Sequence, residues 1–311
     1  MGADLNWAGR NYNSYSVYSK SLFSERVQKI SVNAGFTCPN RDGKKGYGGC
    51  IYCDNKTFNP EYCKPEISIT DQLNRGISFF KEKYKTQKYL AYFQAYTNTY
   101  SQLDKLIELY EEALLHPSVI GLVIATRPDC LENELLDYLQ KLKEKYYISV
   151  EIGIESTYNP TLAFINRGHT YEESSYAVKR IAEKGISTGA HMIIGLPGES
   201  RNIIISHAKK LSELPIKTLK LHQLQIIKDT KLAWYFKSRP ELFINYSADD
   251  YIDLVIEFIE HLNPSIIIER FISESPLNML ISPRWGLKNF EFVDKMEKRL
   301  QQINTWQGRL Y

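Results

Sequence analysis

The chain has 311 residues, a formal net charge of +3, and apolar and charged fractions of 43% and 24%, which suits one large globular domain or one domain with a sizeable extension. This composition excludes collagenous, low-complexity and extensively disordered chains. A charge this small does not identify a nucleic-acid partner, because a basic patch acts locally.

Residues 1–10 are polar and lack the apolar centre of a secretory signal, and Asn6 breaks the myristoylation pattern that Gly2 would open. No apolar run reaches the ~18–20 residues of a membrane span. The expectation is a cytoplasmic protein with no membrane partner. Residues 1–26 are predicted to be an arm, irregular or with one short helix, rich in tyrosine (Tyr12, Tyr15, Tyr18). Val27–Val32 reads as a first strand and residues 33–63 as a glycine- and proline-punctuated loop. A regular alternation follows. Helices are predicted over 71–85, 102–115, 133–145, 171–184 and 200–214, and strands over 89–94, 119–126, 148–154, 188–194 and 217–227. Gly185 marks a helix end. Six strands separated by helices imply right-handed βαβ units and a parallel sheet, whose ligands gather at the carboxyl ends of the strands. From residue 248 the pattern is mostly helical, so the core is placed at 27–240 and a helical extension at 241–311.

Four of the five cysteines lie in the first long loop. Eleven residues separate Cys38 from Cys50, and two separate Cys50 from Cys53. Thiolates are soft ligands for iron–sulfur clusters and zinc. Three on one loop hold three irons of a cubane and leave the fourth open to a ligand; with Cys63 added, four make a structural zinc site. The spacing leaves both readings open. The segments Ala34-Gly35-Phe36-Thr37-Cys38-Pro39-Asn40-Arg41-Asp42-Gly43 and Gly49-Cys50-Ile51-Tyr52-Cys53 resemble the radical S-adenosylmethionine (SAM) enzymes. More narrowly they resemble the YhcC/YtqA-type family of the Elp3-like branch, with the longer gap between the first two cysteines. The resemblance runs from about residue 10 to 307. It implies an α/β fold, a partial (β/α)6 barrel with a helical C-terminal extension. It also implies that Cys38, Cys50 and Cys53 hold a [4Fe–4S] cluster, that reductive cleavage of SAM gives a 5′-deoxyadenosyl radical, and that reduced flavodoxin or ferredoxin supplies the electron.

By the same resemblance, Tyr52 lies against the adenine of SAM, Gln94 and Thr97 occupy the turn that meets its amino group, Glu155 binds its ribose and Arg167 its carboxylate. Gln94 and Ala95 stand where the family usually has glycines. Leu224–Ile227 would border the adenine, and the Gly195-Leu196-Pro197-Gly198 turn would bring backbone close to the cofactor. Along 149–155, period two sends Ser149, Glu151, Gly153 and Glu155 to the face opposite Val150, Ile152 and Ile154. Carboxylates turned into a closed lumen need partners or a function. Glu151, Lys220 and His222 are therefore the candidate catalytic residues, with His191 nearby. Cys63 and Cys130 are too few for a second cluster, and no chemistry attaches to Pro283-Arg284-Trp285 or Trp306-Gln307-Gly308.

The resemblance implies tRNA as substrate, at the wobble uridine, whose carboxymethylaminomethyl group would be remodelled towards aminomethyl. Two basic stretches, 20–64 and 217–239, agree with RNA. A radical SAM reaction on a small molecule or peptide, and a zinc-stabilised nucleic-acid-binding module, are the competing readings.

Overall fold

The computed structural model describes residues 7–57, 59–81 and 87–311. The predicted helix over 71–85 is present as far as Lys81, and its last residues lie outside the described ones, as do residues 1–6 of the polar N-terminus. The elements in chain order are α1 (Tyr15–Phe23), β1 (Val27–Val32), α2 (Ile69–Lys81), β2 (Lys88–Phe93), α3 (Leu103–Leu114), β3 (Val119–Thr126), α4 (Asn133–Leu142), β4 (Tyr147–Glu155), α5 (Asn159–Phe164), α6 (Tyr171–Glu183), β5 (Ser187–Ile194), α7 (Arg201–Ser212), β6 (Thr218–Gln223), β7 (Ile226–Ile227), α8 (Lys231–Ser238), α9 (Ala248–Glu260), β8 (Ile267–Arg270), β9 (Leu280–Ser282) and α10 (Asn289–Gln302).

Seven strands form one parallel sheet in the order β1-β2-β3-β4-β5-β6-β8. The sheet curls into a half-barrel, so that side chains of β1 and β8, its two edges, touch through Lys29 and Glu269. The strands are buried on both faces and are correspondingly apolar. On the convex side Val150, Ile152 and Ile154 join the main core with Leu122, Ile124, Val178, Ile181 and the other helix residues. On the concave side Leu90 and Val123 pack with Phe23 and Tyr147, and Phe23 meets Tyr147 edge-on at 5.2 Å. Helix α1 thus stoppers the bottom of the lumen, and only its upper part is hollow. Caps fix where the crossover helices begin. Thr170 and Glu173 form a capping box on α6, Ser200 caps α7, and Ser247 with Asp250 boxes α9, each worth about 1 kcal/mol. Gly185, with φ +64°, follows the end of α6 as predicted.

Two expectations need correction. The strand foreseen over 217–227 ends at Gln223; Ile226–Ile227 instead pairs antiparallel with β9, because the chain bends at Leu224 and Gln225 to border the cavity described below. The region beyond 248 is not simply helical, since β8 adds a seventh strand beside β6. The two C-terminal segments without chemistry are fasteners. Gln307 is fully buried and bonds Asn263 and Ile266 carbonyls and the Asn13 amide, tying the arm to the end of the chain. Trp285 donates to the Tyr246 carbonyl and stacks on Phe292.

Candidate functional site

The cysteine loop leaves the carboxyl end of β1 and folds on its own backbone. The Cys38 carbonyl accepts from Arg41 and Asp42, the Pro39 carbonyl from Lys45 and Gly46, and the Asn40 carbonyl from Gly49. Gly48 and Gly49 take φ of +79° and +77°, a left-handed turn that suits glycine and delivers Cys50. The loop is then sewn to the segment after β4: Ile51 N donates to Ile165 O, Asn166 Nδ2 to Gly49 O, and Asn40 Nδ2 to Asn166 O. Cys38, Cys50 and Cys53 all edge one cavity of about 260 Å³ at the carboxyl ends of the strands.

These residues fit an iron–sulfur cluster. Arg167 Nη1 lies 3.5 Å from Cys50 Sγ, Asn40 Nδ2 3.8 Å from the same sulfur, and Asn55 Nδ2 3.6 Å from Cys53 Sγ. N–H donors aimed at sulfur suit thiolates that ligate iron and tune the cluster. Burial, and next the neighbouring Cys50, push the Cys53 thiol up to about 11, so a metal's charge is what makes ionisation there favourable. Among the described residues no three His, Cys, Asp or Glu side chains converge as ligands of a single ion. Cys63 cannot complete a zinc site, because its thiol donates to the Ser31 carbonyl at 2.9 Å and lies outside the cavity lining. Burial raises Cys130 to about 12, a plain thiol.

Above the lumen, β4 ends in strain. Pairing with β5 slips between Gly153 and Glu155, and Glu155 has φ +69°, a conformation that costs a non-glycine residue and is typical of functional positions. The slip turns its carboxylate to Arg167, Nη2 to Oε1 at 3.4 Å. Arg167 also donates to the Gly153 carbonyl at 2.7 Å, while its buried Nε has no partner among the described residues. Tyr52, Gln94 and Thr97 share the cavity wall. Gln94 accepts from Ser31 at 3.3 Å. Thr97 Oγ1 is buried and has no partner among the described residues, an orphan that a polar cofactor would satisfy.

Deeper, Glu151 is clasped from several strands. Lys220 Nζ reaches Oε2 at 2.6 Å and Lys29 Nζ reaches Oε1 at 2.9 Å. Tyr92 donates to Oε2 at 2.8 Å, and His191 Nε2 stands 2.8 Å from the same oxygen. Glu269 binds Lys29 at 2.7 Å and Lys220 at 3.3 Å. Burial opposes the Glu151 charge, yet Lys220, Lys29 and His191 hold the carboxyl well below its ordinary range. Burial also outweighs the carboxylates at Lys220 and draws it down to about 8. At the less enclosed Lys29 the carboxylates outweigh burial and raise the ammonium. Burial, then His191, keeps His222 neutral far below the usual histidine range; its ring lies 5.2 Å from that of His191.

The three cysteines, Tyr52, Gln94, Thr97, Glu155, Arg167, Glu151, Lys220 and His222 therefore all border this cavity, as do Leu224, Gln225 and Ile227. The Gly195–Gly198 turn does not. Gly195 lines a neighbouring crevice with Tyr246, and Glu199 locks the turn by accepting from Ser156 at 2.5 Å and facing His207 at 3.3 Å. Sequence reasoning missed Tyr92, Arg270 and Arg127 in the lining, and Lys29 and Glu269 behind it. Tyr92 sits in a strand apolar on both faces, so no alternation announces it; Glu269 and Arg270 belong to the strand that helical patterning concealed.

Residues 35–211 match the radical SAM superfamily and residues 216–302 the radical SAM C-terminal domain. Protein YtqA of Bacillus subtilis (strain 168) is 32% identical over 302 residues, 97% of this chain and 93% of that one. A tRNA uridine(34) acetyltransferase of Methanocaldococcus jannaschii is 30% identical over 122 residues, 38% of this chain and 22% of its own length. The structure of the archaeal Methanocaldococcus infernus Elp3 with an N-terminal deletion shares the fold, with a TM-score of 0.68 and 17% identity over 91% of this chain and 64% of that one. No described helix is long and apolar enough to cross a membrane. The chain belongs to the radical SAM superfamily and is an enzyme whose cofactors are a [4Fe–4S] cluster and SAM.

Proposed function

We propose that this enzyme modifies tRNA at the wobble uridine, remodelling a carboxymethylaminomethyl side chain towards aminomethyl, in the cytoplasm and with a reduced flavodoxin or ferredoxin as electron donor. The observation that carries the reading is the rim of the cavity. The two basic stretches, more than 150 residues apart in sequence, meet there: Leu232 of α8 donates to the Ile51 carbonyl at 2.8 Å. Within these two stretches Lys44, Lys228, Lys231 and Lys237 are exposed, as are Lys45 and Arg239, which pair with Asp129 and Glu241. Trp234 is 60% exposed and Tyr47 81%. Arg41 covers Tyr96 at 5.6 Å, and Lys44 covers Tyr100 at 5.2 Å. Cations that track phosphates, interleaved with aromatic faces that stack on bases, are what a single-stranded loop of RNA requires. A relative named for tRNA uridine 34 supports the same substrate, and the resemblance of the cysteine loop narrows the side chain.

In this reading Cys38, Cys50 and Cys53 ligate the cluster, and Tyr52, Gln94, Thr97, Glu155 and Arg167 hold SAM. When bound there, the cluster and SAM would supply one-electron radical chemistry. Glu151, Lys220 and His222 line the path below. Lys220, with its proton loosened, and the neutral His222 ring are positioned to pass protons to and from a side-chain amine. Helix α1 and the apolar plug close the lumen from beneath and keep water from a reactive centre.

The test is anaerobic reconstitution followed by dithionite and SAM, with and without tRNA carrying the modified uridine. The expected result is 5′-deoxyadenosine from the parent and none from Cys50→Ala, a rise in its formation on adding tRNA, and a nucleoside of the aminomethyl mass. Cleavage of SAM indifferent to tRNA, with no tRNA retained at low salt, would overturn the substrate and favour a small molecule or peptide.

A further inference from the structure

We propose that the floor of the cavity is a carboxylate-binding subsite, in which Arg270 grips an anionic end of the substrate with His222 beside it. It deepens the tRNA reading, on which it rests only for the identity of the molecule that carries the carboxylate.

The starting point is an arginine whose side chain has no partner among the described residues. In the floor, Glu151 and Glu269 face Lys29 and Lys220, two carboxylates against two ammonium groups. Nearer the rim, Glu155 faces Arg167. Arg270 lines the same cavity, is half-buried, and makes no side-chain hydrogen bond or ion pair among the described residues. Buried cations without partners are expensive. A guanidinium turned into a ligand cavity and left unpaired is a site awaiting an anion.

The backbone is irregular where it presents this residue. Along β6 and β8, Leu219 pairs with Ile268 and the next residue, Lys220, pairs with Arg270, so Glu269 is an extra residue on β8. In a regular strand, neighbours point to opposite faces. At a bulge the alternation breaks and a side chain is re-aimed. Here Glu269 reaches Lys29 and Lys220 in the lumen while Arg270, one residue on, reaches it too. A strand that needed only the Glu269 clasp would send Arg270 among the helices on the other face.

A second unmet group lies on the adjacent strand. His222 Nε2 is buried with no partner among the described residues, and Nδ1 is engaged by the Ser273 hydroxyl. Either tautomer satisfies the Ser273 contact; the one in which the Ser273 hydroxyl donates to Nδ1 carries its proton on Nε2, and that is the tautomer an anion in the cavity would select. Burial and neighbouring cations, Arg270 among them, keep that ring neutral. A planar fork of N–H groups plus one further N–H matches a carboxylate, which accepts two parallel hydrogen bonds and a third. Glu274 and the clasped Glu151 border the same cavity, so a phosphate dianion would meet more repulsion there than a single carboxylate does.

The experiment is calorimetric titration of the reconstituted full-length enzyme with two matched pairs of probes. One pair is 5-carboxymethylaminomethyluridine and its carboxamide; the other is N-benzylglycine and its amide. The parent should prefer the carboxylate of a pair about tenfold or more, as expected for charge-assisted hydrogen bonds. Arg270→Gln should bind both members within about twofold of each other. Arg270→Lys, which keeps the charge and loses the fork, should retain a reduced preference, and it carries the test if the glutamine variant does not hold its cluster. No preference in the parent for either pair, or a preference undiminished in the variants, overturns the subsite. A preference confined to the glycine pair keeps the subsite and removes the uridine substrate. Salt-sensitive tRNA binding without any carboxylate preference does the reverse.

Discussion

His169 is buried behind Arg167 and Arg127. Burial, and next Arg167, drive its pKa down to about 3. Its Nδ1 lies 3.1 Å from the Thr170 carbonyl, and Nε2 has no partner among the described residues. The unfolded chain protonates this ring near 6.5 and the folded chain does not until about 3. Between those values the unfolded state binds more protons, so stability falls as pH falls. At pH 5 the loss from this one ring is about 2 kcal/mol. Urea midpoints at pH 7.5 and pH 5 should therefore drop further for the parent than for His169→Gln in the same cluster state, and equal drops would refute the assignment. Gly153 is the other residue where one atom decides. A Cβ there would lie 2.5 Å from Arg167 Nη2 and 2.6 Å from Glu155 Oε1. Gly153→Ala should fold and keep its cluster, since the clash is with the ends of side chains. It must part the pair assigned to SAM, and SAM affinity measured by equilibrium dialysis should fall tenfold or more. An unchanged affinity would place SAM elsewhere.

At the scale of elements, the curl of the sheet is held by charges that belong to different strands. Lys29 lies on β1, Tyr92 on β2, Glu151 on β4, His191 on β5, Lys220 on β6 and Glu269 on β8. Removing one partner of a buried ion network strands the others and costs about 3–5 kcal/mol. Glu151→Leu should lower the thermal midpoint accordingly. Adding Lys220→Met should cost far less than the sum of the two single changes, because it removes a charge that the first change stranded; additive losses would mean that the two residues do not act together. This network also shows what was legible in advance. Period two in β4 was unambiguous, since Glu151 and Glu155 alternate with Val150, Ile152 and Ile154, and the cysteine spacing located the cofactor end. Tyr92 was hidden because both faces of β2 are apolar. β8 was hidden because it has only four residues, follows a long amphipathic helix and carries a bulge, so neither length nor alternation betrays it. Contacts such as Lys29 with Glu269 depend on the sheet curling until its edges meet, which no local pattern encodes.

Across the whole molecule, the proposed function puts the chemistry inside the lumen and the recognition of tRNA outside it. The lumen is stoppered by α1 beneath and opens at the rim, where α8 rests on the cysteine loop. On that proposal the modified nucleotide alone would enter, with its neighbours held at the rim. Binding should then divide into two separable parts. Phosphate contacts by Lys231, Lys237 and Arg239 predict that log affinity for tRNA falls linearly with log salt, with a slope that shallows by roughly one for each of these residues changed to serine. Stacking on Trp234 is insensitive to salt, so Trp234→Ala should weaken binding by about 1–3 kcal/mol at every salt concentration and leave the slope alone. Neither change touches the lumen, so the visible absorption of the cluster should persist and report an intact fold. Filter binding from 50 to 300 mM salt separates the two effects. Parallel weakening by both kinds of variant would mean that α8 acts only as a packing element, and a parent with no salt dependence would remove the rim from recognition altogether.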